Sequence, residues 1–226
     1  MRIDILTLFD NLFSEFVNTS IIKRAIDSGK VSINIHNFRE YSTDKHGRVD
    51  DYPYGGGAGM VLMCEPIFRA IDAIRTEDSK VIMMSPSGKV FNQKMAVDLS
   101  SLKHLIIICG HYEGFDERIK SIVDMEISIG DYVLTGGEIP AMAITDAIVR
   151  LIPGVISKES LENESFNDNL LDYPNYTRPE EFRGMRVPDV LLSGHHENIE
   201  KYRQEERIRR TREYRNDLMI GDDKNE

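Results

Sequence analysis

Apolar positions along the 226-residue chain change period several times, and each change predicts an element. Arg2 to Phe9, RIDILTLF, alternates and predicts a strand. Asn11 to Ser28 carries Leu12, Phe13, Phe16, Val17, Ile21, Ile22, Ala25 and Ile26 at helical spacing, as one stripe or two. Gly29 follows, as a glycine past a helix end often does. Val31 to Phe38 alternates again and predicts a second strand. Glu65 to Ile74 predicts a helix with Pro66 in its first turn. Val81 to Met84 predicts a short strand, Ser85-Pro86-Ser87-Gly88 a turn, and Phe91 to Leu99 a helix. Leu105 to Cys109, LIIIC, is apolar at every position, which is the pattern of a strand covered on both faces. Another helix is expected over Glu117 to Ile122. Next come an apolar run ending at Ile129, a turn-rich stretch with Gly130, Asp131, Gly136 and Gly137, and a helix from Glu138 that stops before Pro153. Strands alternating with helices predict an α/β domain built on a largely parallel sheet.

Such sheets bind ligands at the carboxyl ends of their strands. Three predicted strands here run into ligand-type turns, SPSG, GHYEG and GDYVLTGGE, and their convergence counts for more than any single glycine. Arg39 to Met60 is polar and aperiodic for about 20 residues, and loops of that length in compact domains are usually functional or disordered. Ser157 to Asn169 is polar and reads as a linker, and Leu170 to His196 is rich in Pro and Tyr. The end, Glu197 to Leu218, predicts a charged helix. Within it, Lys201, Arg203, Arg207, Arg209, Arg210, Arg212 and Arg215 outnumber Glu205, Glu206 and Glu213. That run is either a solvated helix laced with ion pairs or a surface for phosphates.

Composition removes several function classes. The net charge is −10, against a basic coat for nucleic acid, although a local basic patch is still allowed. Cys64 and Cys109 each sit in an apolar run, which predicts free buried thiols and suits a reducing cytoplasm. Met1 leads directly into a strand pattern, so no signal peptide is expected, and no apolar run approaches the roughly 20 residues of a membrane span. The P-loop ending Gly-Lys-Ser/Thr, the G-x-G-x-x-G dinucleotide fingerprint and the G-x-S-x-G elbow are all missing. His195 and His196 are adjacent, and no paired cysteine motif occurs, so no metal site is predicted. What is left is a glycine-rich cradle, carboxylates and arginines near turns, and a basic tail. That combination suits a cofactor with an adenosine part and a nucleic-acid substrate.

DDYPYGGGAGM (50–60), CGHYEGFDER (109–118), SIGDYVLTGGEIPAM (128–142), RLIPGV (150–155) and LLDYPNYTRP (170–179) resemble the bacterial tRNA (guanine-N1)-methyltransferases that act at position 37, beside the anticodon. The match runs in order over nearly the whole chain. The resemblance implies an α/β methyltransferase domain with a deep trefoil knot over residues 1–157, a flexible linker over 158–171, and a small helical tRNA-binding domain over 172–226. It also implies a cytoplasmic homodimer with each active site at the subunit interface. A knot is not something periodicity predicts, because connections rarely thread.

Carried over by position, the resemblance places S-adenosylmethionine against Met83, Met84, Ser85 and Pro86, against Gly110, Tyr112 and Gly114, and against Ile129, Gly130, Tyr132, Leu134, Gly136, Gly137 and Pro140. Glu113 falls near the methionine end and Arg150 near the target guanine, while Asp50 and Tyr54 belong to the loop that meets tRNA. Arg209 and Arg210 of the basic run are taken as further tRNA contacts. The family is helped by Mg²⁺, although methyl transfer itself needs no metal. In one place the chain departs from the pattern. The family base is an aspartate before Ser-Phe, and here that position is Glu164, with Asp168 four residues on as a possible substitute. Two other readings stay open: an RNA-binding module that has lost catalysis, and a knotted methyltransferase with another RNA target.

Overall fold

The computed structural model describes residues 1–162, 164–166 and 168–219. Asn163 and Asn167 of the predicted linker, and residues 220–226 of the predicted C-terminal domain, lie outside the described residues. The chain forms two compact units, Met1–Ile156 and Ser157–Glu226.

The first unit begins with β1 (Arg2–Thr7), a 3₁₀ turn (Asp10–Phe13), α1 (Ser14–Val17), α2 (Ser20–Asp27) and β2 (Ser32–Asn37). A 3₁₀ turn (Phe38–Tyr41), β3 (Asp50–Asp51), β4 (Val61–Leu62) and α3 (Cys64–Ile74) follow. It continues through β5 (Ser79–Val90), α4 (Gln93–Ser100), β6 (His104–Ile108), a 3₁₀ segment (Glu117–Ile122), β7 (Met125–Ser128) and α5 (Glu138–Val149). Five strands make one sheet in the order β2-β1-β6-β5-β7, with every pair parallel.

The apolar run in β6 follows from that order. All five of its residues are buried. Leu105 and Ile107 join Ile3, Ile5, Ile82, Ile127 and the α5 residues Ile144 and Ile148 in one core. Ile106 and Ile108 join Leu6, Val81, Met83 and the α3 residues Ile67 and Ile71 in the other. A central parallel strand with helices on both faces has no solvent side, so alternation disappears.

Three expectations change. The stripe from Asn11 to Ser28 is a 3₁₀ turn and two short helices, because Thr19 is extended (φ −118°, ψ 142°) and Ser20 takes φ 51°. The predicted turn Ser85-Pro86-Ser87-Gly88 lies within β5. Met84 and Lys89 both register with Ile127, and residues 85–88 make the excursion between those two pairings. Gly88 is required there, since a Cβ would stand 2.4 Å from Ile127 N. The long polar loop from Arg39 to Met60 contains β3, which pairs antiparallel with β4 just beyond it, Asp50 with Leu62 and Asp51 with Val61.

The second unit contains α6 (Lys158–Glu162), a hairpin of β8 (Glu181–Phe182) and β9 (Met185–Arg186), α7 (Asp189–Leu192), α8 (His196–Tyr214) and a 3₁₀ turn (Asn216–Met219).

At the amino edge of the sheet Asp4 is fully buried. Arg2 Nε approaches its carboxylate at 2.6 Å, His104 Nε2 at 2.5 Å, Asn34 Nδ2 at 2.8 Å and His36 Nε2 at 2.9 Å. Burial opposes ionisation, but the bonds from His36, Asn34, His104 and Arg2 outweigh it and hold this carboxyl below its ordinary range. A depressed folded pKa contributes stability above the unfolded pKa, and that stability is lost as pH falls through the folded value. Asp4→Asn is expected to cost about 3 kcal/mol at pH 7, as removal of one partner of a buried pair does. Urea unfolding checks this. Below the ordinary carboxylate range the gap between wild type and variant should narrow.

Candidate functional site

A cavity of about 440 Å³ opens between the excursion in β5 and the carboxyl ends of β6 and β7. Its walls are Met83 to Pro86 from β5, residues 110–117 after β6, and residues 127–130 and 132–137 around the end of β7. Lys120 and the α5 residue Pro140 complete the lining. Pro140 stands in the first turn of its helix, where a missing N–H breaks no helical bond. Every residue assigned above to the cofactor lines this cavity, and so does Glu113.

Two close contacts hold the loops together. Gly137 N–H donates to the Gly110 carbonyl at 2.8 Å, and His111 bridges to Gly136. A Cβ on Gly137 would stand 2.7 Å from Gly110 N and 2.8 Å from Cys109 Cα, so only glycine lets these main chains touch. Beneath them, Thr7 Oγ1 donates to Glu138 Oε1 at 2.8 Å, which ties the first residue of α5 to the end of β1. Burial pushes the Cys109 thiol well up, helped by the Glu138 charge, and keeps it out of thiolate chemistry.

The Ser85–Gly88 excursion is held against β7. Ser87 Oγ donates to Glu126 Oε2 at 2.8 Å, and Lys120 Nζ stands 3.5 Å from the same carboxylate. Burial works against ionisation of Glu126, but the hydrogen bonds from Ser87 and Ser85 and the charge of Lys120 keep it ionised.

The β3–β4 hairpin is fixed to the Glu113 wall. Glu113 N–H donates to Met60 O at 3.0 Å, Leu62 N–H to Gly114 O at 2.9 Å, and Asp116 N–H to Leu62 O at 2.9 Å. Asp50 is therefore half-buried in a strand attached to the cavity wall, whereas Tyr54 at the hairpin tip is fully exposed. Arg150 is half-buried at the carboxyl end of α5.

Glu164, Asp168, Arg209 and Arg210 belong to the second unit. Arg209 is bound to Glu206 at 2.7 Å and to Glu213 at 2.8 Å along α8, so this part of the basic run is an ion-pair lattice. Arg210 is half-buried. Asp168 is engaged by Arg207, whose Nη1 donates to Oδ2 at 2.9 Å and whose Nη2 contacts Oδ1.

His111, Asp116 and Lys120 also line the cavity, and residue type did not single them out. The signal for them was position inside the GHYEGFDER turn and the short helical segment behind it. His111 packs against Phe9 with ring centroids 4.7 Å apart, and its buried Nδ1 has no hydrogen-bond partner among the described residues. Hydrogen bonds and charge from Arg118 hold the Asp116 carboxyl below its ordinary range. The lining thus combines apolar Met83, Met84, Ile127 and Ile129 with the Glu113 carboxylate, while Asp116 pairs with Arg118 at 2.6 Å and Glu117 with Lys120 at 2.9 Å. Among the described residues, no group of three or more His, Cys, Asp or Glu side chains is placed to hold a metal ion. No helix among them is long and apolar enough to cross a membrane.

Fold and site define an α/β domain whose pocket lies at the carboxyl ends of two parallel strands and the excursion in the strand between them, followed by a second, helix-led unit. The chain belongs to the tRNA (Guanine-1)-methyltransferase TrmD family, whose profile matches residues 1–221. It is 60% identical over 220 residues to the tRNA (guanine-N(1)-)-methyltransferase of Malacoplasma penetrans, covering 97% of both chains. The enzyme of the same name from Dictyoglomus turgidum is 56% identical over 97% of this chain and 90% of its own. That from Staphylococcus aureus strain JH9 is 56% identical over 97% and 91%.

Gly137→Ala tests the contact on which the cavity wall rests. Its methyl group must force two main chains apart, so unfolding free energy should fall by about 1–3 kcal/mol, as for overpacked interiors. Urea titration of the protein alone measures it.

Proposed function

We propose that this chain transfers a methyl group from S-adenosylmethionine to N1 of the guanosine at position 37 of tRNA, beside the anticodon. One observation carries this reading. Three segments far apart in sequence, which the family resemblance assigns to the cofactor, meet around a single cavity. The buried His111 Nδ1, without a hydrogen-bond partner among the described residues, the apolar floor and the Glu113 carboxylate fit an adenosine group joined to a sulfonium and an ammonium.

Main-chain groups of Ile129, Gly130, Tyr132 and Leu134 would hold the adenine and ribose, with Met83 to Pro86 beneath. Gly110, Gly136 and Gly137 leave room for a bent cofactor, and Glu113 faces its cationic end. S-adenosylmethionine supplies an electrophilic methyl group when bound. The residues of the chain then do the rest. Guanine N1 carries a proton at neutral pH, and Glu164 takes it. As it leaves, negative charge grows toward O6, where the Arg150 guanidinium stabilises it. The β3–β4 hairpin, with Asp50 and Tyr54, contacts tRNA beside the Glu113 wall. Arg209 and Arg210 bring phosphate contacts from α8. A second copy of the chain completes the site, with Glu164 delivered from the partner subunit. Mg²⁺ assists without a resident site in this reading. The trefoil knot is part of the proposal, and the strand order β6-β5-β7, which takes the chain from one side of β5 to the other, supports it.

Methyl transfer to tRNA with guanosine or adenosine at position 37, followed by nucleoside analysis, tests the reading. The expected product is 1-methylguanosine from the first tRNA only. Background incorporation with both would leave an RNA-binding module, and equal methylation of both would indicate another target. Glu164→Gln should lower kcat by about 10²–10⁴-fold, the usual contribution of a positioned base, with S-adenosylmethionine affinity unchanged. Reversing Arg209 and Arg210 to Glu should flatten the dependence of log tRNA affinity on log salt by about one to two, as two lost phosphate contacts do.

A further inference from the structure

In the second unit, Ser165, Phe166 and Asp168–Asp172 belong to a compact loop seated on α8. The loop closes on itself: Phe166 N–H donates to Leu170 O at 2.8 Å, and Asp172 N–H donates to Ser165 Oγ at 2.9 Å. Phe166 (φ 74°) and Asn169 (φ 60°) take the left-handed conformation that so tight a path needs.

Two residues one helical turn apart grip it. Thr211 Oγ1 accepts from Leu171 N–H at 2.8 Å and donates to Arg207 O at 2.7 Å. Arg207 donates from Nε to Leu171 O at 3.3 Å and binds both oxygens of Asp168. Its side chain is only 7% exposed, although α8 is otherwise strongly polar and largely solvated. A further turn along, Arg215 lies 5.7 Å over the Phe166 ring. A bidentate guanidinium–carboxylate pair fixes orientation as well as distance.

We infer that Arg207, Asp168 and Thr211 form a clamp that makes the Glu164 loop and α8 one body, so that the proposed base is positioned by the helix that meets tRNA. The inference rests on the methyltransferase reading and adds positioning residues to it. It also divides the two linker carboxylates. Both Asp168 oxygens face Arg207, so Asp168 acts through the loop, in keeping with the proposed role of Glu164 as proton acceptor. The clamp carries no chemistry of its own. Loosening it displaces Glu164 relative to guanine N1, and displacement by about 1 Å far from the reacting atoms costs on the order of 10²-fold in rate.

The test uses the full chain and compares wild type with Asp168→Asn, Arg207→Lys and Thr211→Val, measuring kcat, KM for tRNA, S-adenosylmethionine affinity and the pH profile of kcat. Arg207→Lys keeps the charge and loses the bidentate fork. Thr211→Val keeps the shape and loses the acceptor for Leu171, and a wild-type helical circular dichroism signal together with retained cofactor affinity shows that both units of each variant are folded. All three variants should lower kcat by about 10–100-fold, leave S-adenosylmethionine affinity within twofold, and keep the acid limb of the pH profile. Asp168→Asn combined with Arg207→Lys should be no slower than the slower single variant. Wild-type kcat in all three variants overturns the clamp while the methyltransferase reading stands. Loss of the acid limb in Asp168→Asn alone, with Arg207→Lys at wild-type rate, also overturns it and makes Asp168 the base. A wild-type protein that forms no 1-methylguanosine removes the reading itself.

Discussion

The main chains of Cys109–Gly110 and Gly136–Gly137 lie in direct contact, and the pocket follows from that contact. The Gly137 N–H to Gly110 carbonyl bond, at 2.8 Å, joins the turn after β6 to the turn after β7 at the point where α5 begins. Neither turn has a strand of its own to hold it there. With the two joined, the Ser85–Gly88 excursion of β5 becomes the third wall, held by Ser87 on Glu126. The β3–β4 hairpin then pairs with the Glu113 segment, so the loop proposed to meet tRNA is continuous with the wall proposed to meet the cofactor. Substituent-free positions are therefore as much a part of the site as the carboxylates.

Charge is distributed with a comparable economy. The chain carries a net −10, and the cavity wall carries Glu113 beside Asp116 and Glu117, which are paired with Arg118 and Lys120. A polyanionic substrate must then be met elsewhere. The arginines of α8 are the obvious source, but several are already committed. Arg207 holds Asp168, Arg203 holds Glu200, and Arg209 is shared between Glu206 and Glu213. The count of basic residues overstates the positive field of this helix, because paired charges largely cancel at a distance. The ion-pair reading of the run is realised along much of this helix.

Much of the fold was legible from period alone. The apolar run of β6, the alternating β1 and β2, and the helix opening at Glu138 all appear where the pattern placed them. The misses have local causes. The pattern around Val81 ends at Ser85 because the excursion turns its residues away from both cores, and the strand resumes only where Lys89 re-registers with Ile127. The helical stripe before Gly29 hides a break, since side-chain periodicity does not report a positive φ at Ser20. In the site, motif spelling led to the three loops, but not to Lys120 or Asp116. Their relevance depends on which way a short 3₁₀ segment and the preceding turn face.

The sequence by itself determined the class of the fold, the strands whose ends carry the site, and the family, because each of these depends on residue type at fixed spacing. Periodicity is local, and so is a motif. Only the tertiary structure decided that segments around residues 84, 110 and 136 face one cavity, that Asp50 is pinned to the same wall, and that Asp168 is taken up by Arg207 while Glu164 heads the same loop. Those relations are set by strand order and by main-chain contacts between residues tens of positions apart. No pattern within a window of neighbouring residues encodes them.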